Sequence, residues 1–566
     1  MAKSERKEIG SRSGNFIFQA GILAAAGIIV RIIGILYRSP LVAIIGDEGN
    51  GYYNTAYVIY TIILLVSSYS IPSAISKVIA ARLSVGEYCN AYRLFTGSIA
   101  YVIVVGGLGS IVCFAFADRF VGTNSAQVLR IFAPTIFLSG LLGCFRGFFQ
   151  AHRTMVYTSF SQILEQIINA IVSIGAAFIF VRILAGKSDS EIAIGGAKGS
   201  AIGTGAGVLS ALIFMILVYI SNRPNILKHI KQDTTDKDKL LSPLKIIGII
   251  FGMVTPIVLS TCIYNLSMAT NLTIYQKMAR DIWGFSEAQA TTGYGLFAGK
   301  AMQIVNIPIA IATAMSAAII PSIAHTHERG EYKEGRRKIA YAVKVTMLIA
   351  IPSAFGLIAL AEPVTMLLYP QRSSYLMVAA LIRTLSVTVI FYCVSTLSNA
   401  ILQGTGHVNI PVINSLVALI VQAVVLILLL RNTGLDLYAL CIVTIVYSSM
   451  MCLLNSLAIR RKLNYYQEYK RTFLMPLISA AIMCAVTVGT NTLISFLIRK
   501  HVGDPDMVIS GMDNLLRLIV SILVAVIVYG VLCMKQGTIR ESEIALIPGT
   551  AGLVEFLKRI RLLKEK

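Results

Sequence analysis

Four cationic side chains stand inside otherwise apolar stretches of the sequence: Arg31, Arg38, Lys300 and Arg383. Arg31 lies within Gly27-Ile28-Ile29-Val30-Arg31-Ile32-Ile33-Gly34, and Arg38 falls two helical turns further along the same face. Groups of this kind recognise phosphate or carboxylate, arginine through a planar fork and lysine as a point charge. A second set is built for hydrogen bonding. Gln162, Glu165, Gln166 and Asn169 recur at spacings of three and four, which puts them on one helical face, and Gln303 continues a polar edge about one turn beyond Lys300. Three amides and a carboxylate in a stripe suit sugar hydroxyls, a bound cation or pairing with Lys300. The same stripe would also serve as a polar clamp between helices. No catalytic residues are assigned, because acid/base work on such a ligand needs paired carboxylates or a histidine on an outer loop. The richest such loop, His501 to Asp513 with Asp504 and Asp506, is short.

The elements that hold these groups are read from composition. Hydrophobic residues make up 56% of the chain and charged residues 13%, with a mean hydropathy of +0.75, which excludes a water-soluble fold. Apolar stretches long enough to cross a bilayer occur at 14–37, 52–76, 94–116, 128–150, 155–182, 198–220, 244–271, 293–323, 339–361, 375–400, 410–430, 436–459, 473–497 and 514–534. The fold class expected is an all-α membrane protein with about fourteen transmembrane helices. The net charge of +22 resides in short Lys/Arg clusters between apolar runs and not along one amphipathic face, so nucleic acid is not an expected partner. Clusters from Arg223 to Lys245, Arg329 to Lys338 and Arg460 to Arg471 fall in alternate loops, and the positive-inside rule makes that face, with both termini, cytoplasmic. Lys3, Arg6, Lys7 and Arg12 precede an apolar run too long for a signal peptide, so the first span is read as retained.

On this topology Arg31, Lys300 and Arg383 each lie about 9–12 Å inside the outer end of their spans, and Glu165 about 15 Å deep. A charge at mid-membrane costs on the order of 3 kcal/mol, so each needs a partner, a cavity or a route to the headgroups. For Arg38 and Arg383, snorkelling and a cavity are both open; for Arg31 and Lys300 the flanking glycines favour a cavity. Gly195-Gly196-Ala197-Lys198-Gly199-Ser200 lacks the order and the preceding strand of a phosphate loop, and Gly199, Gly203 and Gly207 at four-residue spacing read as a helix-packing face. His325 and His327 lack the spacing of a helical zinc motif, and the nine cysteines never form CxxC, so no metal or disulfide is expected.

An internal repeat sets Gly86-Glu87-Tyr88 and Arg93 against Gly330-Glu331-Tyr332 and Arg337, with Ile71-Pro72-Ser73 matching Ile320-Pro321-Ser322 and Gly51-Tyr52 matching Gly293-Tyr294. Six spans separate the copies, so the halves share one orientation. The expected organisation is an N-lobe at 1–243, a C-lobe at 244–459, and 460–566 with the last two spans and a basic cytoplasmic tail.

These spans, lobes and terminal pair together resemble the multidrug/oligosaccharidyl-lipid/polysaccharide exporter superfamily. Val30-Arg31-Ile32-Ile33-Gly34-Ile35-Leu36-Tyr37-Arg38 resembles the opening Arg-x-x-Gly-x-x-Arg pattern of MurJ-type lipid II flippases, with one extra residue before the second Arg. Arg146-Gly147-Phe148-Phe149-Gln150 followed by Ser161-Gln162-Ile163-Leu164-Glu165-Gln166 is similar to the SpoVB/YtgP-type branch, and Gln403-Gly404-Thr405-Gly406 to the matching turn of the second lobe. Ile62 to Ser68 carries no arginine where MurJ-type proteins have one, and Lys300 stands where they have arginine. The resemblance implies alternating access by two lobes around a basic cavity and an undecaprenyl-pyrophosphate-linked cell-wall precursor as cargo. It also implies a bacterial cytoplasmic-membrane location, anionic membrane lipids as neighbours, and a monomer. No cofactor is expected; coupling would come from the membrane potential or an ion gradient. A multidrug cation antiporter of the same superfamily is the nearest alternative, and a membrane glycosyltransferase or ligase a more distant one.

Overall fold

A chain this apolar can satisfy its backbone in a bilayer only through hydrogen bonds within each segment, and every element among the described residues is helical. A computed structural model describes residues 2–69, 71–152, 154–233, 240–369, 371, 373–502 and 508–538, with side chains described over most of these. The expected basic tail past 538, Asp504 and Asp506, and Lys237 and Lys239 of the basic loop lie outside the described residues, as do the side chains of Lys3, Arg6, Lys7, Arg12, Cys262, Pro321 and Ser322.

Twelve described stretches are long and apolar enough to cross a membrane. The first of them covers 60 residues, Ala25–Ser84. That is about 90 Å of helix, far more than one crossing of a roughly 30 Å hydrocarbon core. Most of it belongs to α1 (Ala2–Leu64), which is broken at Gly46, where φ is 70° and ψ −177°. A side chain would be strained at that φ, so glycine permits the break. The connection expected between 37 and 52 is thus a one-residue joint in an otherwise continuous helix. α8 (Pro243–Trp283) adds a further helix of 41 residues with an apolar start at Pro243–Met253. Counting both spans of α1 and α8, about fourteen crossings result, and the chain is a multi-pass membrane protein.

The chain gathers into two compact units, Met1–Gly295 and Leu296–Lys566. The first holds α1, α2 (Ile71–Ser84), α3 (Tyr88–Ala115), the short α4 (Ala117–Phe120), α5 (Thr123–Ala151), α6 (Met155–Ile183), α7 (Asp189–Lys231), α8 and α9 (Glu287–Tyr294). Ile246 and Ile250 of α8 enter an apolar cluster with Ile71, Phe95, Phe148 and Leu212, which is why α8 packs with the first unit. The lobe boundary expected at 243/244 marks sequence symmetry and is separate from this division by packing.

α6 and α7 meet through the small residues. A β-carbon on Gly199 would come within 2.5 Å of the Ala177 nitrogen, one on Gly203 within 2.4 Å of the Ser173 nitrogen, and one on Gly207 within 2.5 Å of the Glu165 carbonyl. The three glycines are therefore the packing face expected from their spacing. Lipid tails are as apolar as side chains, so close van der Waals contact of this kind replaces the hydrophobic effect as the force between helices.

The second unit holds α10 (Met302–Glu328), α11 (Tyr332–Leu368), α12 (Tyr375–Gly404), α13 (Asn409–Asn432), α14 (Leu437–Leu463), α15 (Met475–Val502) and α16 (Gly511–Lys535). The expected terminal pair, α15 and α16, lies against α11, where Leu518 and Cys484 pack with Ala359, Leu360 and Val364. The repeat is visible in local geometry. Gly86 and Gly330 have φ of 80° and 73°. The following Glu87 and Glu331 have φ/ψ of −81°/67° and −78°/55°. Each glutamate N–H donates to the carbonyl five residues back, Arg82 or Thr326, so both copies end one helix and begin the next through the same left-handed turn.

Replacement of Gly203 by Val should force α6 and α7 apart and destabilise the solubilised protein by about 1–3 kcal/mol or more. Gly175 of α6, whose added β-carbon would meet nothing within 4 Å, should accept Ala without loss. Thermal melts of the two variants, followed by size-exclusion chromatography, check the contrast.

Candidate functional site

In the first unit Glu165 and Gln166 of the α6 stripe face α5 and α1, while Asn169 lies against Gly207 of α7. Arg146 sits five residues before the last residue of α5 and Ser161 six after the first of α6, so the α5–α6 hairpin sets them side by side. Arg146 donates from Nε to Ser161 Oγ at 2.9 Å and from Nη2 to Glu165 Oε2 at 2.7 Å. The pair is partly sheltered, the Arg146 side chain 14% and the Glu165 side chain 29% exposed. Glu165 thus has a guanidinium partner on the neighbouring helix, a clamp of the kind the stripe allowed. Gln166 reaches α1, its Nε2 lying 3.3 Å from where a β-carbon on Gly34 would be. Gly34 is what lets this amide approach the helix that carries Arg31 and Arg38.

Arg38 lies within electrostatic reach of the Tyr53 and Tyr57 hydroxyls, and Glu165 within reach of those of Tyr57 and Tyr60. Tyr57 is common to both charges. Its ring is stacked on Tyr53 at 5.8 Å, and Tyr60 is stacked on Phe132 at 4.7 Å, so an aromatic ladder lies beside the polar groups. Asn169 accepts from Ser173 Oγ at 2.9 Å, while Gln162 is half-buried with no hydrogen bond among the described residues. Arg31 is exposed, one turn from exposed Ile28 and next to exposed Ile32, and makes no hydrogen bond or ion pair among the described residues. The structure therefore gathers Arg38, Arg146, Glu165, Gln166 and the tyrosines around one part of the first unit.

Lys300 and Gln303 belong to the second unit. Gly295–Ala301 forms a π-helical segment between α9 and α10, a local widening that re-aims side chains and recurs at functional positions. Lys300 is 0% exposed. Its Nζ donates to Gln371 Oε1 at 2.9 Å and to Ser374 Oγ at 3.2 Å, and it lies 5.3 Å from the centre of the Tyr369 ring. The ammonium is thus held by the turn between α11 and α12. Gln303 donates to the carbonyl of Ala298 at 3.4 Å and so caps the π-helical segment of its own span. Arg383 is drawn to Glu362, with Nη2 3.9 Å from Oε2. That contact gives it a charged partner besides the headgroups or a cavity.

Reasoning from isolated charges does not find the pairings of Arg146, Glu362 and Arg517. Arg146 was legible in principle, because it and Ser161 lie nearly equidistant from the α5–α6 turn. Glu362 and Arg517 meet only because α16 docks on α11, which no local pattern records. No group of three or more metal-ligating side chains occurs among the described residues, and all described cysteines are free.

The family model for the lipid II flippase MurJ matches residues 81–503, more than half of the chain. The lipid II flippase MurJ of Bacillus subtilis (strain 168) is 24% identical over 486 residues, covering 82% of this chain and 87% of that protein. Stage V sporulation protein B of the same organism is 22% identical over 543 residues, covering 94% and 98%. Among solved structures, the inward closed conformation of lipid II flippase MurJ aligns with a TM-score of 0.63 at 14% identity, covering 90% of this chain and 98% of that one. The inward-facing conformation of a multidrug resistance MATE family transporter of the MOP superfamily aligns with a TM-score of 0.63 at 16% identity, covering 79% and 98%. The two structural likenesses are equal in score, so fold alone does not separate a flippase from a drug exporter.

Removing the Arg146 side chain leaves Glu165 without its guanidinium inside the membrane. Arg146→Ala should lower stability by about 2–3 kcal/mol, less than for a fully buried pair because Glu165 is partly exposed. Arg146→Met combined with Glu165→Gln should recover most of it. A double-mutant cycle of thermal melts reads the coupling.

Proposed function

The chain belongs to the lipid II flippase MurJ family, and from that premise we propose that it carries an undecaprenyl-pyrophosphate-linked cell-wall precursor, lipid II or a related oligosaccharide, from the inner to the outer leaflet by alternating access. It is a transporter and not an enzyme. The observation that carries the reading is the sign of the charge set into the membrane. Arg31 and Arg38 on α1, and Lys300 within the second unit, are set into apolar spans, while Glu165, the carboxylate of the α6 stripe, is already engaged by Arg146. An export path for organic cations needs carboxylates available to them. Cationic groups suit a pyrophosphate.

In this reading Arg31 and Arg38 meet the phosphates from α1, and the amides of Gln162 and Gln166 meet sugar hydroxyls. The Tyr57 ring offers a flat face to a sugar. Lys300 supplies charge on the eighth span once the turn at Gln371 and Ser374 releases it. The lipid is taken up at the face bearing the basic loops, which is the cytoplasmic one. A membrane potential contributes about 2.3 kcal/mol per charge per 100 mV to moving an anion outward, enough to bias the exchange without a nucleotide.

Arg31→Ala and Lys300→Ala should each abolish complementation of a flippase-depleted strain at normal membrane levels of the protein. Full complementation by both would overturn the role given to these cations. Leaflet-resolved transport of lipid II and other defined lipid-linked sugars in proteoliposomes identifies the cargo. Efflux of cationic dyes with no lipid transport in the same vesicles would favour the multidrug reading instead.

A further inference from the structure

Within the second unit, Glu362 stands near the end of α11 between two guanidinium groups. Arg383 Nη2 lies 3.9 Å from one carboxylate oxygen and Arg517 Nη2 3.9 Å from the other. Neither contact is short enough for a hydrogen bond, so the carboxylate is shared loosely. Arg517 is held by a different partner, donating from Nε to Asn491 Oδ1 at 2.6 Å, and its side chain is only 7% exposed. The charge of Arg499 also acts on Arg517, and Glu362, Tyr375, Arg499, Asn514 and Arg517 border one polar recess. Among the described residues two guanidinium groups, Arg499 and Arg517, line the recess, and Arg383 reaches its Glu362 wall from α12.

Two further observations point to a ligand. Asn514 is 1% exposed and donates from Nδ2 to the Pro363 carbonyl at 2.8 Å, yet its Oδ1 is buried with no donor among the described residues. A buried acceptor of this kind wants a hydroxyl or an N–H. The second is position. Glu362 lies 24 residues beyond Lys338, about 36 Å along α11 from the basic loop. That is the membrane face on which the positive-inside rule leaves arginines unexplained.

We propose that this recess is an anion site at the outer membrane interface that takes the phosphate of a hydroxyl-bearing lipid headgroup. Arg517 binds one phosphate oxygen, Arg383 turns from Glu362 to a second, and Asn514 Oδ1 accepts from a headgroup hydroxyl. The recess holds about 10 Å³, room for one water-sized group, so the headgroup hydroxyl seats inside against Asn514 Oδ1 and the phosphate stays at the mouth, beside Arg517 and within reach of Arg383. Arg383, with 48% of its side chain exposed, is free to close over it. Glu362 is the built-in competitor that the phosphate displaces. Phosphatidylglycerol from the surrounding bilayer and a translocated sugar lipid share this chemistry. The inference does not depend on which cargo is moved, because it is read as binding and not as transport.

Native mass spectrometry of the full-length protein in detergent, titrated separately with phosphatidylglycerol and with lipid II, tests it. Arg383→Ala and Arg517→Lys should each lower occupancy of at least one of the two lipids about five-fold or more. Glu362→Gln should raise it, an outcome that a purely structural role for the cluster does not predict. Selective binding of lipid II assigns the site to the cargo, and selective or equal binding of phosphatidylglycerol assigns it to bulk lipid. Unchanged occupancy of both lipids in Arg383→Ala, or reduced occupancy in Glu362→Gln, overturns the proposal, and neither variant removes a buried side chain.

Discussion

Inside a bilayer no water is at hand to solvate a charge, and this constraint arranges the polar parts of the molecule. The charges of α5 and α6 meet as Arg146 and Glu165, and Glu362 on α11 answers both Arg383 and Arg517. Lys300 is fitted against Gln371, Ser374 and the Tyr369 ring. Each set fixes the rotation of at least one helix about its axis, because turning it would carry a charge into lipid. The exposed sides are carried mostly by Leu, Ile, Val and Phe, which specify depth but not rotation.

Close packing supplies the remaining order. Where α7 crosses α6, glycines bring the two backbones together with nothing between them but small side chains. The contact also explains why the polar stripe is so well placed. Gly207 abuts the carbonyl of Glu165 itself, so the helix that bears the stripe is held from behind by α7 while Glu165 and Gln166 reach toward α5 and α1. Rigidity behind and polarity in front is the arrangement a binding surface needs.

The spans, the glycine face and the repeated turn could be read along the chain because each is a local pattern: apolar length, four-residue spacing, and a Gly-Glu-Tyr step that demands a left-handed residue. What escaped was pairing. Glu165 was visible as a membrane carboxylate, but its partner required asking which residue lies across the hairpin from it. Lys300 was visible as a charge between glycines. Its engagement by Gln371 and Ser374 depends on how a turn seventy residues later folds back on a π-helical segment, and a π bulge has no reliable signature in sequence. Arg383 offered two explanations from sequence, and the third, Glu362 shared with Arg517, arises only from docking of the terminal pair on α11.

The joint at Gly46 has a consequence for how this protein can vary. Loops between spans ordinarily tolerate insertions, because slack chain does not transmit orientation. Here helix continues on both sides of one glycine, so the angular phase of the second span is tied to that of the first. One added residue would turn everything beyond it by about 100°. Tyr53 and Tyr57 would then swing away from Arg38, although no residue in that cluster had been changed. The short connection therefore behaves as a coupling of fixed pitch, and length, more than composition, is the property it cannot alter.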